Sequence, residues 1–165
     1  MPDRPVFFDF VKTRLGTFQI AASDRGLIQI NFPNRYKLAV APRSGVPVRA
    51  KKILKSGRRF LQNFISSKGY RYRNIPIDWN GFGSFDRRVL KTLKKIPPQR
   101  TISYSELAER LKNPRAARAV GNALNRNPIP ILIPCHRVVR KDRSLGGYAG
   151  GIRWKQALLK LEQNN

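Results

Sequence analysis

Among 165 residues there is one thiol, Cys135, and one imidazole, His136, and the two are neighbours in the chain. They lie in the run Asn127-Pro128-Ile129-Pro130-Ile131-Leu132-Ile133-Pro134-Cys135-His136-Arg137-Val138-Val139. A solitary cysteine is most often an inert core residue. A thiol with a pKa of ~8.5 is only a few per cent thiolate at pH 7, so a nucleophilic cysteine needs a proton acceptor and positive potential close by. His136 could supply the first and Arg137 the second. Consecutive side chains diverge from the backbone, so a bridging water is a better route for the proton than direct transfer.

Single copies of Cys and His also exclude an intrachain disulfide framework and zinc sites built from several such ligands, and no metal is expected. With 34 Lys+Arg against 9 Asp+Glu the formal charge is +25, while 41% of the residues are hydrophobic. The chain therefore has apolar side chains enough to fold, unlike a disordered polycation. So large an excess favours a polyanionic partner, nucleic acid first, because each neutralised phosphate releases counterions. The bland alternative is a solvated basic surface. The N-terminal MPDRPVFFDF fits neither a secretory signal nor a transit peptide, and Ile129 to Cys135 is far short of the ~20 apolar residues a bilayer needs. The expectation is an intracellular, cytoplasmic protein with no membrane partner.

Three apolar segments, Val6 to Val11, Thr17 to Ala22 and Leu27 to Phe32, are separated by turn signals at Leu15-Gly16 and Ser23 to Gly26 and predict a β-meander. Residues 33–47 read as an exposed loop. From Val48, Ile53, Leu54, Phe60, Leu61, Phe64 and Ile65 recur at helical spacing, with Gly69 closing the helix and Tyr70 to Ile77 returning as a strand. This gives an N-terminal α+β domain over 1–78, a linker over 79–83 and a second domain over 84–165. In the second, Ser84 with Asp86 predicts the start of a helix from Phe85 to Ile96, stopped by Pro97-Pro98. Ser103-Tyr104-Ser105-Glu106 is a capping box, and Asn113-Pro114 places an N-cap and an N1 proline before a helix to about Arg126. Two short helices joined by a tight turn are either a helix-turn-helix or an ordinary αα-hairpin. The second helix is small-sided, with Ala116, Ala117, Ala119, Gly121 and Ala123, and projects Arg115, Arg118 and Asn122. That composition suits either tight internal packing or close approach to a groove.

The stretch Asn127 to Val139, with Gly146-Gly147-Tyr148-Ala149-Gly150-Gly151, Lys155, Leu158-Leu159 and Glu162 after it, resembles the active-site signature of the O6-alkylguanine-DNA alkyltransferases, the methylated-DNA–protein-cysteine methyltransferase family. The likeness covers residues 84–162, about half the chain, and its Pro-Cys-His-Arg core is highly specific. The resemblance implies that Cys135 accepts an alkyl group from O6 of guanine, or less efficiently O4 of thymine, in a displacement that leaves a permanent thioether. Each molecule would act once, with no cofactor. It also implies that His136 deprotonates the thiol through water and that Glu162 orients His136. Tyr104 would donate to guanine N3, Arg118 would fill the gap left by a flipped base, and Asn127 would sit at the hinge before the active-site strand. The carbonyls of Cys135 and Val138 would read the exocyclic amine, Tyr148, Ala149 and Gly150 would form the loop facing O6, with Pro130 also in the base pocket, and Lys155 would stabilise the leaving base. Ala117, Arg115, Asn122, Ser103 and Arg137 would join Arg118 in contacting DNA. Outside the resemblance, Glu162 reads as a solvated helix end and Lys155 as a solvated helix cation.

Two departures stand out. Ala149 replaces the serine of many relatives, leaving only its backbone amide to reach O6, and Gly150 leaves room for large alkyl groups such as benzyl. The implied architecture is a ribonuclease H-like α+β support followed by a winged-helix-like, helical domain with a helix-turn-helix. The implied partner is duplex DNA carrying O6-alkylguanine, bound by a monomer. Three rivals remain: a lesion sensor of the alkyltransferase-like type, which lacks the acceptor cysteine; a helix-turn-helix regulator with Cys135 as a sensor; and a thiol hydrolase, disfavoured because the only histidine already adjoins the thiol.

Overall fold

The computed structural model describes residues 5–35, 45–67 and 74–163. The chain divides into two compact units, one ending at Asn80 and the other beginning at Gly81. In the first, strands β1 (Phe7–Thr13), β2 (Gly16–Ala22) and β3 (Leu27–Asn31) form an antiparallel sheet in the order β1-β2-β3. Val11 pairs with Phe18 and Ile20 with Ile30, and all four are buried. In the β2–β3 turn another backbone segment packs directly against Gly26 and leaves no room for a side chain: a Cβ there would stand 2.4 Å from the Asp78 nitrogen. Leu27 N donates to Pro76 O and Asp78 N to Leu27 O, and the buried Asp78 carboxylate accepts from the Ser23 hydroxyl at 2.7 Å.

Helix α1 (Val48–Ile65) buries Ala50, Ile53, Leu54, Gly57, Phe60, Leu61, Phe64 and Ile65, the stripe its spacing predicts, and packs on the sheet. It ends earlier than expected. Gly69 lies outside the described residues, Ser66 caps the helix, and Arg14 Nε donates to the orphan Ile65 carbonyl at 2.8 Å. The expected strand at Tyr70 to Ile77 begins outside the described residues, and its described part forms only a single parallel bridge, Ile77 with Leu27. Of the expected loop at 33–47, residues 36–44 also lie outside them.

The second unit runs α2 (Ser84–Leu93), β4 (Ile102–Ser103), α3 (Tyr104–Arg110), a 3₁₀ turn at Pro114–Ala116, α4 (Ala117–Asn125), a second 3₁₀ turn at Cys135–Arg137, β5 (Val138–Val139) and α5 (Ile152–Gln163). Helices α2, α3 and α4 pack together, burying Val89, Leu90, Leu93, Leu107, Ala108, Val120, Ala123 and Leu124. Gly83, not Ser84, occupies the α2 N-cap and makes no side-chain bond; Asp86 in the first turn instead takes a two-pronged grip from Arg126 at 2.8 Å on each oxygen. The helix stops at Leu93, three residues short of the expected Ile96. The capping box forms as read: Ser103 Oγ accepts from Glu106 N at 3.1 Å and Glu106 Oε2 from Ser103 N at 2.6 Å. Asn113 makes no side-chain cap, and the segment after Pro114 starts as a 3₁₀ turn before α4. Parallel pairing of β4 with β5 joins the start of α3 to the residues after the cysteine. Among the described residues no helix is long and apolar enough to cross a membrane.

Candidate active site

Cys135 sits on the 3₁₀ turn between Pro134 and β5, so the chain bends sharply at the thiol. The approach to it, Ile129 to Ile133, is buried, and burial holds Ile131 at φ +73°, a conformation costly for a β-branched residue. Asn127 secures this bend. Its Oδ1 accepts from Ile129 N at 3.1 Å, while its Nδ2 donates to Ile133 O at 2.9 Å and lies 3.1 Å from Cys135 Sγ. Tyr148 also hydrogen-bonds to Cys135. Burial pushes the thiol above its ordinary pKa, only partly offset by Asn127, Tyr148 and the Lys155 charge. At neutral pH the group is therefore a thiol and has to lose its proton to react.

Behind it lies a buried polar cluster. His136 Nε2 is 2.9 Å from Glu162 Oε1, and both side chains are buried. Arg137 closes on the same carboxylate, with Nε 3.0 Å from each oxygen and Nη2 2.6 Å from Oε1, while its Nη1 donates to Ile96 O. Gln99 N adds a fourth group at 3.2 Å from Oε2. Burial alone would raise the Glu162 carboxyl, but His136 and Arg137 hold it at about 2. Burial keeps His136 below its ordinary value despite the pull of Glu162. The cluster at pH 7 is thus an anion, a guanidinium and a neutral imidazole. An imidazole that is neutral and donates through Nε2 to a carboxylate has its accepting lone pair on Nδ1.

Arg137 was expected to touch DNA, yet it is 1% exposed and its guanidinium is committed to Glu162 and Ile96; a cation buried this deeply needs a carboxylate, and the nearest one is Glu162. Ser103, also expected at the DNA, is buried and its hydroxyl is engaged in capping α3. The solvated readings of Glu162 and Lys155 fail as well. Lys155 is fully buried on α5, its Nζ donating to Val138 O at 2.6 Å and to Leu145 O, with Gly147 O at 3.4 Å. Burial lowers its pKa to about 8, with the Arg140 charge assisting. It ties the 145–147 loop to β5.

A cavity of about 280 Å³ opens over the thiol, lined by Tyr104, Gly121, Asn122, Leu124, Asn125, Cys135, Gly147, Tyr148 and Ala149. It gathers the expected Tyr104, Asn122, Tyr148 and Ala149 around Cys135. Pro130, Val138 and Gly150 are buried and do not line it, and the Val138 carbonyl already accepts from Lys155. Leu124 and Asn125 line it without having been singled out; their place one turn beyond Gly121 on α4 was the available signal. Tyr104 rests its ring against Gly146, whose φ of +64° favours glycine, and its hydroxyl is 3.4 Å from Gly147 O. Burial raises the Tyr104 and Tyr148 phenols, so both are protonated donors. Arg115 on the 3₁₀ turn and Arg118 and Asn122 on α4 are exposed, with Ala117 half-buried among them.

Residues 84–164 match the family model of the 6-O-methylguanine DNA methyltransferase DNA-binding domain. A methylated-DNA–protein-cysteine methyltransferase of Methanosarcina barkeri is 37% identical over 160 residues, covering 97% of this chain and 99% of that one. One from Mycolicibacterium paratuberculosis is 48% identical over 92 residues, 56% of this chain and 55% of that one. The crystal structure of Mycobacterium tuberculosis O6-methylguanine methyltransferase superposes with a TM-score of 0.79 at 31% identity, covering 96% of this chain and 93% of that one. The crystal structure of the OGT of the same organism in complex with DNA gives 0.80 at 31% identity, covering 94% and 92%. Agreement along almost the whole length, in sequence as well as fold, makes this chain a member of the methylated-DNA–protein-cysteine methyltransferase family.

Proposed function

We propose that this protein repairs duplex DNA by moving an alkyl group from O6 of guanine, and less efficiently O4 of thymine, onto Cys135. The observation that carries the reading is the sole thiol of the chain lining a cavity while a neutral, carboxylate-held histidine adjoins it. Since burial keeps the thiol protonated, Sγ loses its proton as the reaction begins, through a water to His136 Nδ1. The new Sγ–C bond forms as the C–O6 bond breaks, and the electron pair leaves with the guanine. Tyr104, a protonated phenol at the cavity wall, gives a proton to N3 of the departing base. Glu162 is ionised throughout and stabilises the positive charge His136 acquires.

On this reading the lesion leaves the stack to enter the cavity, a step costing a few kcal/mol and cheapest for a poorly paired base. Arg118, exposed on α4, fills the vacated place, while Arg115, Asn122 and Ala117 meet the backbone. The loop at Tyr148, Ala149 and Gly150 faces O6, with the Ala149 amide as donor. Lys155 acts by positioning that loop rather than by touching the base. The first unit is a ribonuclease H-like support and the second a winged-helix-like binder with α3 and α4 as its helix-turn-helix, divided at residues 79–83. The thioether is not hydrolysed, so each molecule reacts once. Incubation with benzylguanine followed by intact mass tests this: one benzyl per chain, on Cys135, is expected. An unmodified chain that still binds O6-methylguanine DNA would instead make it a lesion sensor.

A further inference from the structure

The positive charge is divided almost evenly between the units, yet all the chemistry above belongs to the second. Residues 1–80 hold 16 Lys+Arg against 4 Asp+Glu, and residues 81–165 hold 18 against 5. Much of the first unit's share is concentrated on α1. Opposite its buried stripe, this helix exposes Arg49, Lys51, Lys52, Lys55 and Arg59, and it contains no acidic residue at all. Arg58, at the edge of the face, is the exception, being paired with Asp9.

This arrangement works against the helix that carries it. Lys51 and Lys55, Lys52 and Lys55, and Lys55 and Arg59 are like charges at i, i+4 or i, i+3, a spacing that destabilises. Arg49 and Lys51 stand in the first turn, where the helix dipole disfavours cations, and no acid is present there to offset them. From Arg49 to Arg59 the face runs about 15 Å along the axis. One strand of a duplex, with a phosphate every 3.4 Å or so of its axis, presents about four phosphates over that length. We infer that the exposed face of α1 is a second phosphate-binding surface for duplex DNA, indifferent to sequence and to the lesion. The inference rests on DNA being the partner of this chain but not on the chemistry at Cys135.

The test is the salt dependence of binding to an undamaged duplex for Lys52→Gln/Lys55→Gln/Arg59→Gln. Three lost contacts at about 0.9 each should shrink the slope of log K against log[salt] by two to three units and weaken binding at least about tenfold at 50 mM salt. The rate of reaction with free benzylguanine should stay within about twofold, which separates a failure here from a failure of the alkyl-transfer reading. The charge-preserving Lys52→Arg/Lys55→Arg/Arg59→Lys should keep the wild-type slope, so that a loss through misfolding is recognised. An unchanged slope in the glutamine variant would overturn the inference. So would a loss confined to polyglutamate or to vesicles of phosphatidylserine and phosphatidylcholine, which would mark an acidic protein or a membrane as the partner.

Discussion

Replacing Glu162 by Met separates two roles that the buried cluster combines. The carboxylate is the counterion of Arg137 and the anchor of His136, and all three side chains are buried. Glu162→Met leaves a guanidinium buried without its partner, which typically costs about 3–5 kcal/mol. For a chain of this size that corresponds to a fall in Tm of about 6–20 °C. Arg137→Met/Glu162→Met removes both charges at similar volume and should recover at least half of the lost stability, since buried ion pairs exchange for apolar groups at little cost. Alkyl transfer should behave otherwise. His136 is unanchored in both variants, so single-turnover reaction with benzylguanine, measured at least 15 °C below each variant's Tm, should be slowed at least tenfold in both, about 1.4 kcal/mol. Recovery of rate together with stability in the double variant would reduce Glu162 to a structural counterion. A single variant within about 1 kcal/mol of wild type would refute the ion-pair reasoning itself.

Other consequences follow from the same geometry. Cys135→Ser should take up no alkyl group by intact mass while still binding O6-methylguanine DNA; turnover beyond one equivalent in the wild type would contradict the single-use reading. His136→Ala should regain rate as pH rises, about tenfold per unit while the thiol remains mostly protonated, because the thiolate fraction then replaces the base. Glu162 titrates at about 2 in the folded protein against ~4.3 unfolded, so its stabilisation is complete above about 4.3 and is lost as pH falls toward 2; acid unfolding followed by circular dichroism should show this phase in the wild type and lack it in Arg137→Met/Glu162→Met. Arg118→Ala should slow repair of O6-methylguanine in duplex DNA at least tenfold while free benzylguanine reacts within about twofold, whereas equal slowing of both would assign Arg118 to the pocket or the fold.

What was legible in the sequence was local. The capping box needs only Ser103 and Glu106 three residues apart, and it forms; the α1 stripe needs only the helical period, and it buries the expected residues. Cys135 and His136 declared themselves by adjacency. The errors arose where the deciding partner is remote or a backbone residue competes. Ser84 looked like a cap because of its hydroxyl, yet Gly83 takes that position and Asp86 turns to Arg126, forty residues away. Arg137, which the resemblance placed among the DNA contacts, instead finds its partner in Glu162, twenty-five residues on. A signal for that pairing did exist. Lys155, Leu158, Leu161 and Glu162 are the buried residues of α5, so two charged residues occupy the stripe that the helical period reserves for apolar ones. A charge on a buried stripe has to be matched by an opposite charge or by converging dipoles. Glu162 meets the one arginine of the Pro-Cys-His-Arg run, and Lys155 meets three backbone carbonyls. Helix α5 therefore holds both sides of Cys135: its last turn fixes the histidine, and its first turn fixes the loop that lines the cavity over the thiol.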